Sequence, residues 1–465
     1  MPKGKPKRQR TPQQNDTDYL SDSTYCSERT ERTIGAMGGQ FEDEEPSEFG
    51  FFSKTRDTAA PSDASPPRAE ESTTGSAGSF EELLEQLAAK RGSTRIAALD
   101  GALKLLRKEY ADEVVSGCTE TILSRLCGCI KKGDAKEAVL ACDVLGVVLI
   151  TLGSPALSAG QYEYCVGNVQ RSYASQRSPQ VKSRIATVLA LMAFLGCDDD
   201  TKVHEMVEWM RARAAHIDLS KTEKEGDSES VQCEGILDGW TLLSSLQPPR
   251  DLADITQSPA SDLWDLAFRG LHGQSVDLRS TAGSSLALML EAKWRAEDSD
   301  TTLQELEAVR SEEMALLRQL GGSNTQRTRG LTKDELKEQR ATFRQILEVA
   351  ETGSCSPFKF YMGSRRKELQ IATWSAICRY ELLKSFLQGG MLPHMQDNPV
   401  VRALIRMEDV EGADNGFGAP AVFEESHDGF CTDWRKSEKV RYVSRNRQRQ
   451  TKQANQGAFF GPIDE

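Results

Sequence analysis

Histidine is scarce in this chain: it has 5 among 465 residues. There is also no P-loop, no GxGxxG after a strand, no HExxH and no nucleophile elbow, so no clustered acid/base set exists and catalysis is not expected. Long apolar runs are missing too. The best, Ala138 to Leu152, is interrupted by Asp143 and falls short of the roughly 18 residues that span a bilayer. The opening MPKGKPKRQR is followed by polar residues rather than an apolar core, so it is not expected to act as a signal peptide. At 38% the hydrophobic fraction lies below the usual globular share, so part of the chain is expected to be unfolded. The 11 Cys are scattered and odd in number, which suits reduced thiols better than a disulfide framework. The expectation is a soluble intracellular protein, cytoplasmic and/or nuclear, with no membrane segment, cofactor or small-molecule substrate.

What is present is charge, and it is segregated. The formal net charge is -12, yet RKSEKVRYVSRNRQRQTK, residues 435–452, has Glu438 as its single acid. Its cations are Arg435, Lys436, Lys439, Arg441, Arg445, Arg447, Arg449 and Lys452. As a helix, Arg441, Arg445, Arg449 and Lys452 share one face. Val440 and Val443 are too few for a core stripe, so the segment gains little by folding onto its own protein, and RNA or DNA phosphate is its best partner. A solvated basic tail with no fixed partner is the plain alternative. Beyond it, Phe459 and Phe460 could anchor by stacking or docking.

Residues 1–78 open on a basic run that could serve as a nuclear import signal. Acidic, Ser/Thr- and Pro-rich sequence follows, with too few branched apolar residues to offset chain entropy, so the segment reads as disordered. Phe49, Phe51 and Phe52 interrupt it as a short docking motif or nothing. From 79 the pattern is helix after helix, with no convincing strand alternation. Ser79 with Glu82, and Asp134 with Glu137, read as capping boxes; Ser93 reads as a cap, and Ser178 precedes Pro179 at a first helical position. Val115, Cys118, Ile122, Leu126 and Ile130 read as one helix. A basic residue followed by a small one and a dense apolar run recurs at Arg95, Lys136, Lys182 and Arg279, at gaps of 41, 46 and 97 residues. The last gap is about double, and the helix around Trp240, Leu242 and Leu243 fills the missing register. A period in the forties built from helix pairs is the HEAT or armadillo signature, and stacking such pairs leaves a long concave surface for partners. Residues 218–230 read as an exposed charged loop, and Gly321 to Gly330 as a flexible basic linker before a helix capped by Thr332 and Glu335.

Gln339, Arg340, Phe343, Arg344 and Leu347 form a QRxxFRxxL pattern, followed by Trp374, Phe386, Leu387, Gly390, Met391, His394, Asn398 and Val401. This resembles the interferon-related developmental regulator family's C-terminal domain. Upstream, Arg279, Ala282, Gly283, Ser285, Leu286, Ala287 and Leu288 resemble the helix by which the family's N-terminal domain is recognised. The similarity runs from about 80 to 410. The resemblance implies a regulator of gene expression, a family linked both to transcriptional co-regulation through nuclear protein partners and to ribosome binding that restrains translation.

Metal chemistry has two weak candidates. His204, Glu205 and Glu208 share a helical face but read as a solvated stretch; Cys118, Cys127, Cys129 and Cys142 lack paired CxxC spacing and read as small core residues. Asp198, Asp199 and Asp200 sit at a helix start, as the helix dipole favours. Arg365, Arg366 and Lys367, ahead of the Trp374 helix, are solvated helix-start residues or part of a basic surface with Arg327 and Arg329. The reading is therefore an all-α, armadillo/HEAT-like α-solenoid with a disordered N-terminal region (1–78), a repeat domain (79–320), a family C-terminal-like helical domain (331–410) and a linker with a basic C-terminal helix (411–465). It is a non-catalytic scaffold that binds ribosome or rRNA through its tail and restrains translation; the alternative is a nuclear co-regulator with protein partners on the solenoid surface.

Overall fold

The computed structural model describes residues 76–409 except 197–198, 220–222, 248–251, 254–259, 274, 297–310, 323–332, 363–366 and 406–407. Contacts divide the chain into Met1–Phe49 and Gly50–Glu465, and every described element lies in the second unit. The disordered-segment reading of 1–78 thus falls outside the described residues up to 75, as do the basic tail and both Phe clusters.

Helices come in pairs. The first members are α1 (Ser76–Gln86), α4 (Thr119–Lys132), α6 (Ala159–Ser175), α8 (Asp200–Ala214), α10 (Ala260–Leu271) and α12 (Ser311–Gly321). Their partners are α2 (Gly92–Lys108), α5 (Ala135–Leu152), α7 (Pro179–Leu195), α9 (Glu223–Ser244), α11 (Val276–Ala296) and α13 (Lys333–Thr352). Each first member packs on its partner, and the partners pack on one another in chain order, forming an inner layer with the first members outside it. Stacking is obligatory because one pair buries too little to fold alone: each large apolar side chain contributes about 1.5–3 kcal/mol before chain entropy is subtracted.

Local chemistry sets the boundaries. Asp134 accepts from the Glu137 amide at 2.8 Å, Ser158 and Gln161 form a capping box, and Ser178 caps the helix that Pro179 opens. Asp199 caps α8 through the Thr201 amide, with Asp200 in its first turn. Other expected starts shift. Helix α1 already runs at Ser76, which puts Ser79 inside it, and α2 begins at Gly92 behind Arg91 with no side-chain cap. The expected helix through Val115 and Ile122 is two, α3 (Asp112–Gly117) and α4, broken at Cys118, whose thiol donates to the Val114 carbonyl. Much of the expected loop 218–230 is helical from Glu223, since Glu and Lys are good helix formers and acids favour a helix start.

After α13 the chain forms β1 (Phe358–Met362) and β2 (Lys367–Ile371), antiparallel with Phe358 opposite Ile371 and Met362 opposite Lys367. A third strand, β3 (Glu408–Asp409), pairs antiparallel with β2 at Leu369 and Gln370. This sheet corrects the expectation of no strands; FKFYM does alternate, but over only five residues. It also corrects the reading of Lys367 as a helix start, because it opens β2, while Arg365 and Arg366 lie outside the described residues. Helix α14 (Trp374–Leu387), a 3-10 turn (Gln388–Gly390), α15 (Met391–Asp397) and α16 (Pro399–Leu404) follow. The class remains an all-α solenoid, with this sheet as a small addition.

Candidate functional site

The inner layer carries a second covering. Helix α14 packs on α11, α9 and α5, while the 3-10 turn, α15 and α16 reach α2 and α5. The C-terminal helices therefore cross the inner face that the sequence reading leaves open for partners, which corrects that expectation. The cause is visible in composition. Helix α5 is buried without interruption from Val144 to Leu152 and α7 from Ile185 to Leu195. A helix apolar all round must be covered on every side.

Close approach and hydrogen bonding hold the seam. A Cβ on Gly146 of α5 would stand 2.2 Å from the Phe386 ring, so only glycine admits that ring. Carbonyls at the ends of inner helices, which have no partner within their own helix, are met by side chains from the C-terminal segment. His394 Nε2 donates to Leu106 O at 2.9 Å, Asn398 Nδ2 to Ile150 O at 2.9 Å, and the Arg379 guanidinium to Ser245 O. In return Arg107 donates to Phe386 O and to Gln388 Oε1, both at 2.7 Å. Arg184 lies 3.7 Å from the Phe386 ring centroid, donates to Ser385 and pairs with Asp143. Glu291 of α11 accepts the amides of Trp374 and Ser375 at 2.7 and 3.0 Å, a carboxylate where the α14 dipole wants one.

Helix α11 receives the family-pattern residues Gln339 and Phe343 of α13 and Trp374 of α14, while His394 lies on the end of α2. Arg279 donates to Gln339 Oε1 at 3.1 Å, and a Cβ on Gly283 would stand 2.7 Å from Ile346 and 3.0 Å from Phe343. Trp374 is buried and its indole donates to Ser284 O at 2.9 Å. Arg340 is half-buried and Arg344 exposed at the rim. Gln339, Phe343, Trp374 and His394 are thus interior joints and present no surface. Burial pushes the His394 imidazole below its usual range and holds it neutral. Burial likewise raises the Glu381 carboxyl to about 8, against an opposing pull from Lys384. Glu234 rises to about 8 by burial and the neighbouring Asp238 and Asp277, and Asp238 to about 7 by burial. Sequence reasoning missed Glu291, Arg379, Arg107 and Arg184, whose partners lie far off in the chain.

The other candidates are placed individually. His204 is exposed with Nδ1 on Asp200 O, Glu205 pairs with Lys202 and Glu208 with Arg211, so the three acceptors are engaged separately. Cys127, Cys129 and Cys142 are buried and Cys118 is half-buried, all as free thiols. Arg435, Lys436, Lys439, Arg441, Arg445, Arg447, Arg449 and Lys452 lie outside the described residues.

Among known proteins, the family model described as Interferon-related developmental regulator matches residues 52–351. Interferon-related developmental regulator 1 of Sus scrofa is 26% identical over 328 residues, covering 68% of this chain and 68% of that protein. The Homo sapiens protein of the same name is 25% identical over the same length and shares. Among solved structures, a designed armadillo repeat protein, YIII(Dq)4CqI, aligns over 57% of this chain and 99% of its own with a TM-score of 0.35 and 11% identity.

Proposed function

The chain belongs to the interferon-related developmental regulator family, and on that footing we propose that this helical-repeat regulatory scaffold binds the ribosome or its RNA through residues 435–452 and restrains translation, without catalysis. The observation that carries the reading is the concentration of cations from Arg435 to Lys452 in a chain of net charge -12. Phosphate contacts supply affinity in proportion to the cations engaged, and counterion release makes that affinity fall with salt. Protein partners sought on the inner face, as a nuclear co-regulator would need, compete with α14–α16 for it, so that alternative is left the outer helices and the edges.

Ribosome co-sedimentation of the full chain and of the chain lacking 435–452 tests the reading. The full chain is expected to pellet with ribosomes at low salt and the deleted chain to remain in the supernatant. Equal pelleting of both would remove the tail's role. Pelleting of neither would remove the ribosome as partner.

A further inference from the structure

The turns that join each outer helix to its inner partner collect on one edge of the repeats. Two bonds place the first three side by side. Arg95 Nε meets Glu137 Oε1 at 2.7 Å while its Nη1 holds Ala89 O at 2.8 Å, tying the α1–α2 turn to the start of α5. Gln176 Nε2 donates to Ile130 O at 3.2 Å, tying the α6–α7 turn to the end of α4. On these turns stand Lys90, Arg91, Lys131, Lys132, Lys136 and Arg177, all exposed and none in an ion pair among the described residues. Lys182 adds a further cation over the Tyr173 ring. Of the acids there, Asp134 caps α5 and Glu137 is taken by Arg95, which leaves Glu85 near the end of α1.

The far ends of the same helices are mixed in sign: Glu113 and Glu120 at the starts of α3 and α4, and Asp199 and Asp200 beyond α7, stand with Lys108 and Glu109 at the end of α2. Helix dipoles explain the acids at those helix starts, and Lys131 and Lys132 at the end of α4. They do not explain Lys136, Arg91 or Lys182, which stand at helix starts where a cation is disfavoured. The sign is therefore retained against local preference, in an acidic chain.

We infer that this edge, formed by the α1–α2, α4–α5 and α6–α7 turns, is a second RNA contact that grips the phosphate backbone of a structured RNA; the inference rests on the RNA-binding reading of the tail and extends it to the folded body. Adjacent helices pack about 8–10 Å apart, so three turns present cations along roughly 20 Å, or about six phosphate steps of one strand. A protein partner fits less well. Protein interfaces are built around an apolar centre. The exposed large apolar side chains among the described residues, Tyr164 and Leu392, lie on α6 and α15, away from these turns.

The test is binding of the full chain to a labelled RNA duplex as salt is raised from about 0.05 to 0.2 M, a range over which phosphate contacts weaken steeply. The combined variant Lys131→Gln, Lys132→Gln, Lys136→Gln and Arg177→Gln is expected to flatten the log–log salt slope by up to about 3.6 units, each engaged phosphate contributing about 0.9. Glu113→Gln with Glu120→Gln on the other edge is expected to leave the slope unchanged. An unchanged slope in the four-site variant overturns the proposal, as does absence of binding by the parent chain. A chain lacking 435–452 keeps the two readings apart: if it binds with the affinity of the full chain and the four-site change still flattens its slope, the edge stands and the tail reading falls; if it binds more weakly and the four-site change still flattens its slope, both stand. If the four-site variant loses poly-glutamate binding but keeps its RNA affinity, the edge serves an acidic protein segment and the proposal fails.

Discussion

The outer helices and the inner seam are held by different kinds of contact. On the outer helices charges pair in partly exposed surroundings, Lys202 with Glu205 in its own turn and with Glu163 of α6, and Arg211 with Glu208 in its own turn and with Asp262 of α10. In the seam, Arg184 reaches Ser385 across 201 residues and His394 reaches Leu106 across 288, both in buried or half-buried surroundings. Exposed pairs are screened by water and contribute little, whereas a buried donor left without its acceptor costs the full desolvation of that group. The body's cooperativity should therefore reside in the seam, with 374–405 acting as the member that ties the two ends of the array together.

Removing that member's main anchor should have the largest effect. Phe386→Ala empties the contact made by the ring over Gly146, and such truncations cost about 3–5 kcal/mol. Urea unfolding followed by circular dichroism is expected to show an earlier midpoint. Gly146→Val should act similarly by overfilling the same contact. If neither shifts the midpoint, α14 is not integral to the fold. Glu291→Gln is expected to be smaller, about 1.5–3 kcal/mol, because the amides of Trp374 and Ser375 keep an acceptor but lose its charge.

Acidity offers a further way to probe the same seam. Glu381 rises from 4.5 to about 8 in the fold, so the unfolded chain releases this proton first, and stability falls as pH climbs from 4.5 toward about 8. The His394 pKa is lowered, so its contribution has the opposite sign: stability is present above the ordinary imidazole range near 6.5 and is lost as pH falls below it. Glu381→Gln should flatten the alkaline decline in midpoints measured between about pH 6 and 9, and His394→Gln the acidic decline. An alkaline slope identical to that of the parent in Glu381→Gln would mean that this carboxyl is solvated.

Legibility in the sequence follows the same division. Local signals were readable: Asp134, Ser178 with Pro179, the period linking Arg95, Lys136 and Lys182, and the family pattern from Gln339 to Val401. The break at Cys118 and the strand FKFYM were weaker, since six and five residues carry little periodicity. The seam was not readable pair by pair, because nothing local tells Asn398 that its acceptor is Ile150. One signal did exist. The unbroken apolar runs of α5 and α7 are too hydrophobic for helices with an open inner face, and their composition alone calls for a cover. On the functional side, the basic period was visible as a repeat mark, but its gathering on one edge needed the Arg95–Glu137 and Gln176–Ile130 contacts.

The smallest effect belongs on the exposed side of the comparison. Lys104 Nζ sits 2.7 Å from Asp100, one turn back along α2, with 77% and 49% of the two side chains accessible. Distance alone would rank this pair with the seam contacts. Solvent around both groups weakens their attraction, and ordering two mobile side chains offsets much of what remains, so such pairs contribute about 0.3–0.5 kcal/mol. Lys104→Ala also gains slightly in helix propensity. The urea midpoint is therefore expected to stay within error of the parent at about 0.15 M salt, where Phe386→Ala shifts it clearly. A loss from Lys104→Ala as large as that from Phe386→Ala would show that stability is spread evenly over the two surfaces of α2 and would end the distinction between seam and surface.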